Sequence, residues 1–229
     1  MIKQGGVFSL TLAFVTMNSS VSVYFSNLKL GATSTALLFA ALKITELVSE
    51  AATSAGLVSY SHGVGQNSKR RALYNNLQAA WVLFAVVMVG AVVLFVFSGL
   101  IVKIVYGEKY LGAIAALNWL GLSLPFLCYS RVVNSGLCAQ GAVTSGMAVQ
   151  AVAVLINGAI CFSIGNSLEN VAIGLVVSRV FCFFAYSYCL ARMLNVGYAR
   201  TALPRKKQYV LLKSAALSKF GKFTKRLKR

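Results

Sequence analysis

Acidic residues are nearly missing from this chain of 229 residues. It has no Asp, and its four Glu stand at positions 46, 50, 108 and 169. Without Asp there is no Asp-x-Asp metal site of the kind glycosyl transfer uses. Four carboxylates and a single histidine, His62, leave little capacity for general acid–base chemistry. His62 reads as a solvated loop residue. The five cysteines (128, 138, 161, 182 and 189) show no Cys-x-x-Cys spacing. They read as small apolar residues, not as zinc ligands or a redox pair. The stretch "SHGVGQNSKR" lacks the Gly-Lys-Ser/Thr ending of a phosphate-binding loop, so ATP is not a supported energy source. An enzyme is not expected, nor is a cofactor or a metal.

What remains is apolar and basic. Hydrophobic residues make up 58% of the chain, mean hydropathy is +0.75, and 22 Lys and Arg give a net charge of +18. A soluble domain of this size cannot hide so much apolar surface. The positive charge of so greasy a chain points to anionic lipid, not to nucleic acid.

Six apolar segments follow, at roughly 5–26, 33–60, 77–102, 111–132, 144–165 and 171–193, each near the length of about 20 residues that crosses a bilayer. Period-2 alternation is absent, so strands fit poorly. The expected fold class is therefore all-α: a polytopic membrane protein of six transmembrane helices. Pro125 should kink the fourth. Lys3 ahead of "VFSLTLAFVT" resembles a signal peptide, but the run outlasts a signal core and no small-residue cleavage site follows. The sequon at Asn18 lies inside a span and reads as chance.

Basic residues set the orientation. Lys69, Arg70 and Arg71 fall in one loop, and the tail from Arg200 carries many more, while "NLKLGA" and "GNSLEN" are poor. By the positive-inside rule both termini are cytoplasmic, in a multi-pass protein of the cytoplasmic membrane. The chain divides into a transmembrane lobe, 1–194, and a basic tail, 195–229. In the tail Tyr209, Leu212, Ala216, Phe220, Phe223 and Leu227 recur at steps of 3 or 4, with Lys213, Lys219, Lys222, Lys225 and Arg226 among them. That pattern fits an interfacial helix on anionic headgroups.

Charges inside the spans are the candidate functional residues. Lys43, Glu46 and Glu50 share one helical face. With the second span entering near Thr33, Lys43 lies about 15 Å in, near the midplane. Such charges face a protein interior or a wet cavity. Lys43 and Glu46 can neutralise each other, which leaves Glu50 over. Arg131 either snorkels to the cytoplasmic edge or enters the interior. Arg179 sits nearer the middle of its span, with Phe183 and Tyr186 on its face for a cation–π contact. Thr11, Asn18 and Ser22 share a face of the first span, and Gln150 and Asn157 one of the fifth. Interhelical hydrogen bonds and a polar cavity explain these equally well. A cationic interior suits an anionic substrate, with guanidinium as a fork for phosphate.

The stretch "LGATSTALLFAALKITELVSEAATSAGLVSYSHGVGQNSKRRALYNN" resembles the start of the second half of polysaccharide flippases, members of the multidrug/oligosaccharidyl-lipid/polysaccharide exporter superfamily. "IVKIVYGEKYLGAIAALNWLGLSLPF" and "SGLCAQGAVTSGMAVQAVAVLINGAICFSIG" resemble the helices that follow there. The likeness covers about 5–194 and rests on hydropathic patterns. It implies one six-helix lobe of a two-lobe exporter that flips a lipid-linked oligosaccharide by alternating access. Lys43, Arg131 and Arg179 would then receive the pyrophosphate, Glu46 and Glu50 would form a charge network, and Asn18, Gln150, Asn157 and Tyr186 would line a polar cavity. A second lobe would be a partner, on the same or a separate chain. Two other readings stand beside this one: a remnant or scaffold held at anionic lipid, and a multidrug antiporter, for which a more acidic cavity is expected.

Overall fold

The computed structural model describes residues 2–64 and 68–203, with side chains for 13–61, 68–198 and 201–203. The tail residues Lys213, Lys219, Lys222, Lys225 and Arg226 lie outside the described residues, as do the side chains of Thr11 and His62. The protein is all-α. Its helices are α1 (Ile2–Val64), α2 (Lys69–Tyr106), α3 (Ile114–Ala139), α4 (Val143–Ile164), α5 (Leu168–Leu194) and the short α6 (Ala199–Ala202), with a 3-10 helix at Glu108–Ala113. Five are long and apolar enough to cross a membrane.

Five long helices replace the six expected segments because the first two are arms of α1, bent at Gly31. There φ is 82° and ψ is 177°, a backbone conformation open in practice to glycine alone. The bend is sharp. Thr35 Oγ1 donates to Ser26 Oγ at 3.4 Å, whereas nine residues of straight helix span about 14 Å. Asn18 and Ser19 from one arm line the same cavity as Thr45 and Ser49 from the other. Gly107 repeats the geometry (φ 85°, ψ 176°) at the end of α2. Lys103 and Glu108 pair across it at 2.7 Å, both well exposed. A pair so exposed orders the turn without adding much stability. The helix α3 is continuous through Pro125.

Alternate turns gather at opposite ends of the bundle. One end holds the Gly31 and Gly107 turns and the Gly165–Ser167 connection. The other holds the α3–α4 turn, the last turn of α5 and the exposed Lys69, Arg70, Arg71 and Arg192. At that basic end Trp81, Tyr129, Phe183 and Tyr186 form an apolar cluster with Leu137 and Leu190. At the turn end Leu38, Leu42, Leu117, Leu120 and Leu175 form a second. The exposed side of α2 is apolar, from Val86 through Phe97 to Val105, as a lipid-facing helix requires.

Beyond Leu194 the chain packs back on the bundle. After the left-handed Asn195 the chain returns, and Thr201 is fully buried. Its carbonyl accepts from Trp81 Nε1 at 3.2 Å and from the Tyr129 hydroxyl at 3.1 Å, while its hydroxyl donates to the Ser187 carbonyl at 3.0 Å. A chain ended after Asn195 leaves two buried donors without their acceptor. The expected cost is about 1–3 kcal/mol for each. Thermal unfolding of the two chain lengths in one detergent, followed by tryptophan fluorescence, checks this.

Candidate functional site

Polar side chains tie the bundle together at the first arm of α1. Asn157 on α4 is fully buried and donates through Nδ2 to the Asn18 carbonyl at 2.7 Å and to Ser22 Oγ at 2.9 Å. Ser22 also lies 3.9 Å from Cys161 Sγ. Asn18 Nδ2 donates to Ser178 Oγ on α5 at 3.1 Å. Nearer the basic end, Gln150 Nε2 donates to the Tyr186 hydroxyl at 3.1 Å, and that hydroxyl donates to the Gly146 carbonyl at 3.1 Å. Asn157 and Tyr186 are therefore spent on interhelical bonds. Asn18 and Gln150 make such bonds and also line a cavity.

That cavity, of about 70 Å³, is lined by both arms of α1 with α3, α4 and α5 and is partly open to the outside. Arg131 and Arg179 line it together with Glu46, Ser49 and Ser130. Arg131 bonds through Nη1 to the Ser49 carbonyl at 2.9 Å and to Thr53 Oγ1, so it bridges α3 to the second arm of α1 and does not reach for the membrane edge. Arg179 is 8% exposed and bonds through Nη1 to Ser123 Oγ at 2.7 Å and to the Leu120 carbonyl at 3.5 Å. The cation–π contacts among the described residues belong to Lys29 over Phe162 and Lys43 over Phe39, so the ring contact expected for Arg179 is replaced by the Ser123 hydroxyl. The Phe183 ring is taken up by its aromatic neighbours instead.

Lys43, Glu46 and Glu50 do share a face, but it lies on the outside of the lobe. Lys43 Nζ donates to Glu46 Oε2 at 2.7 Å, and the two side chains are 48% and 43% exposed. Glu50 is exposed and makes no salt bridge among the described residues. Exposed hydroxyls near this face, on Thr53 and Ser54, bond back to carbonyls of their own helix and so tolerate lipid. The three charges do not. They require polar cover at membrane depth. Only Glu46 belongs both to this face and to the cavity behind it, so the three expected cations split: Lys43 stands outside, and Arg131 and Arg179 stand within.

No family model matches the sequence, and no curated protein matches it. Among solved structures the chain matches a MOP superfamily transporter from Pyrococcus furiosus Vc1 (DSM3638), with a TM-score of 0.62 and 15% sequence identity. The match covers 91% of this chain and 48% of that one. The chain shares the fold of that transporter over the part matched. This chain spans about half the length of the one it matches. Within this fold the hydroxyls of Ser123 and Ser178 serve buried groups that sequence reasoning did not connect with them. A lone serine in an apolar run carries no sign of its partner, because the partner is set by the helix that crosses it.

Proposed function

We propose that the chain is one lobe, corresponding to the C-terminal half, of a transporter that flips a lipid-linked oligosaccharide across the cytoplasmic membrane by alternating access with a second lobe. The observation that carries this reading is the outward charged face of Lys43, Glu46 and Glu50 on an otherwise membrane-spanning helix. Lipid cannot solvate it, and a facing lobe enclosing a wet cavity can. The substrate's polyprenyl-linked pyrophosphate would meet Lys43 first, with Arg131 and Arg179 adding positive potential from behind Glu46. Both termini would be cytoplasmic, with the tail cations Lys213, Lys219, Lys222, Lys225 and Arg226 on anionic lipid. For the Pyrococcus transporter, a reverse polarity of the binding pocket suggests a different function.

The test is flux in proteoliposomes holding the chain together with a second lobe, using a polyprenyl-pyrophosphate oligosaccharide labelled in its sugar. Flux above empty vesicles is expected, with at least a tenfold loss in Lys43→Glu and partial recovery when Glu46→Lys is added. Export of organic cations in place of the lipid would make the chain a drug antiporter. Flux of neither would leave it a scaffold.

A further inference from the structure

Two guanidinium groups line the one cavity, and neither forms a salt bridge among the described residues. The salt bridges among the described residues are Lys43–Glu46 and Lys103–Glu108. Glu46 is the one carboxylate among the cavity-lining residues, and its Oε2 is committed to Lys43. Arg179 gives Nη1 to Ser123 and Leu120, Arg131 gives Nη1 to Ser49 and Thr53, and both sets of acceptors are neutral. Arg131 Nε is buried with no hydrogen-bond partner. Across the cavity Asn18, 8% exposed, has its Oδ1 buried with no donor. The cavity is therefore lined by two like charges against one carboxylate that already serves Lys43, with an unpartnered Nε and an unpartnered Oδ1 buried in its wall.

We propose that this cavity binds a small monovalent inorganic anion of chloride size, held by Arg131 and Arg179 inside the lobe. The anion accepts from the N–H groups of Arg131 and Arg179 that are not given to protein acceptors, and it adds to the partial counter-charge that Glu46 brings to the cavity. The volume agrees, since about 70 Å³ corresponds to roughly five water-sized places, enough for one halide with a few waters. A pyrophosphate carrying a sugar and a polyprenyl chain does not fit, so this site is separate from the face proposed to meet the transported lipid. Because Arg131 is on α3 and Arg179 on α5, and Arg131 also holds the second arm of α1, the anion is a tie among three helices. Lobe stability then depends on which anion is present, whether or not the chain transports.

The experiment uses the full chain purified in detergent and moved into sodium gluconate, with chloride or bromide then replacing gluconate at constant ionic strength. A saturable rise in Tm of about 3 °C or more is expected for the native protein. Arg131→Gln and Arg179→Gln are each expected to lose that halide-dependent rise, whatever their own Tm in gluconate. Crystals grown in bromide should show an anomalous peak between the two guanidinium groups, and this second measurement decides the matter if the variants do not fold. Equal stability of the native protein in gluconate and chloride overturns the proposal, as does a rise that persists in both variants, or bromide found only at the basic surface. Stabilisation by inorganic pyrophosphate but not by chloride also overturns it, because the cavity would then be a head-group site. Failure of lipid flux in vesicles bears on the transport reading alone.

Discussion

Gly31→Val is expected to detach the first arm of α1 from the bundle. At φ 82° and ψ 177° the residue sits where a side chain costs about 1–3 kcal/mol in backbone strain, and a β-branched one sits at the upper end. Nothing lies within 4 Å of the position a Cβ would take, so the penalty is conformational and no repacking of neighbours relieves it. The residues on either side are already helical. The cheapest escape is to let the helix run straight, and 63 straight residues make a rod of about 95 Å, far longer than a bilayer core of about 30 Å. A straightened arm breaks the hydrogen bonds of Asn18 to Ser178 and of Asn157 to Ser22. Native Cys161 offers a direct readout, because Ser22 Oγ lies 3.9 Å from its sulfur. With Ser22→Cys in place, oxidation should cross-link the arm to α4, and adding Gly31→Val should cut the yield at least fivefold. Gly107→Val carries the same backbone penalty at another turn and should leave that cross-link intact. Equal loss in both would mean general unfolding, and a full yield with Gly31→Val would show that the bend does not need glycine.

The same arm shows what the sequence could and could not convey. Six apolar segments of spanning length are written in composition, and the bundle has six such stretches once α1 is counted by its arms. The join between the first two is not legible. "NLKLGA" has the polar look of a loop, but Asn27 to Leu30 are helical and a single glycine makes the turn. The inward faces of Asn18, Gln150 and Asn157 follow from spacing alone, because a polar residue in an apolar helix turns toward protein. Their partners do not follow, since partner choice depends on how α4 and α5 cross α1. The charges mark the same boundary. Spacing puts Lys43, Glu46 and Glu50 on one face, and depth says that the face needs polar company. Whether that company is this lobe's own interior or something beyond it depends on the rotation of one helix, which hydropathy does not encode. Thr201 was hidden for another reason. It follows a stretch that reads as tail, and its worth lies in a carbonyl, which every residue has.

Phe183→Ala is expected to destabilise the lobe by about 2–3 kcal/mol, whereas Val96→Ala should cost close to nothing. In water both side chains would contribute through burial of apolar surface. In a bilayer that term nearly vanishes, because lipid tails are as apolar as the protein interior, and only packing is left. Phe183 is 5% exposed, and its ring stands 4.6 Å from that of Tyr129, 5.4 Å from Phe126 and 6.1 Å from Trp81. Its removal leaves a cavity that lipid cannot fill, and the figure of about 2–3 kcal/mol is the cavity part of the roughly 3–5 found for Phe→Ala in soluble cores. Val96 is 66% exposed on α2, so a lipid chain takes the place of its methyl groups. Reversible unfolding in a bilayer-like micelle with rising denaturing detergent measures both. An appreciable cost for Val96→Ala would mean that protein, not lipid, covers the outer side of α2. The comparison also bears on how the lobe could move. The ring cluster joins α2 and α5 to α3 as one block, and Arg131 fastens the second arm of α1 to the same helix. In the transport proposed above, a lobe held that way would rock as a body, and the charged face of α1 would change its neighbour across the cavity while keeping its own geometry.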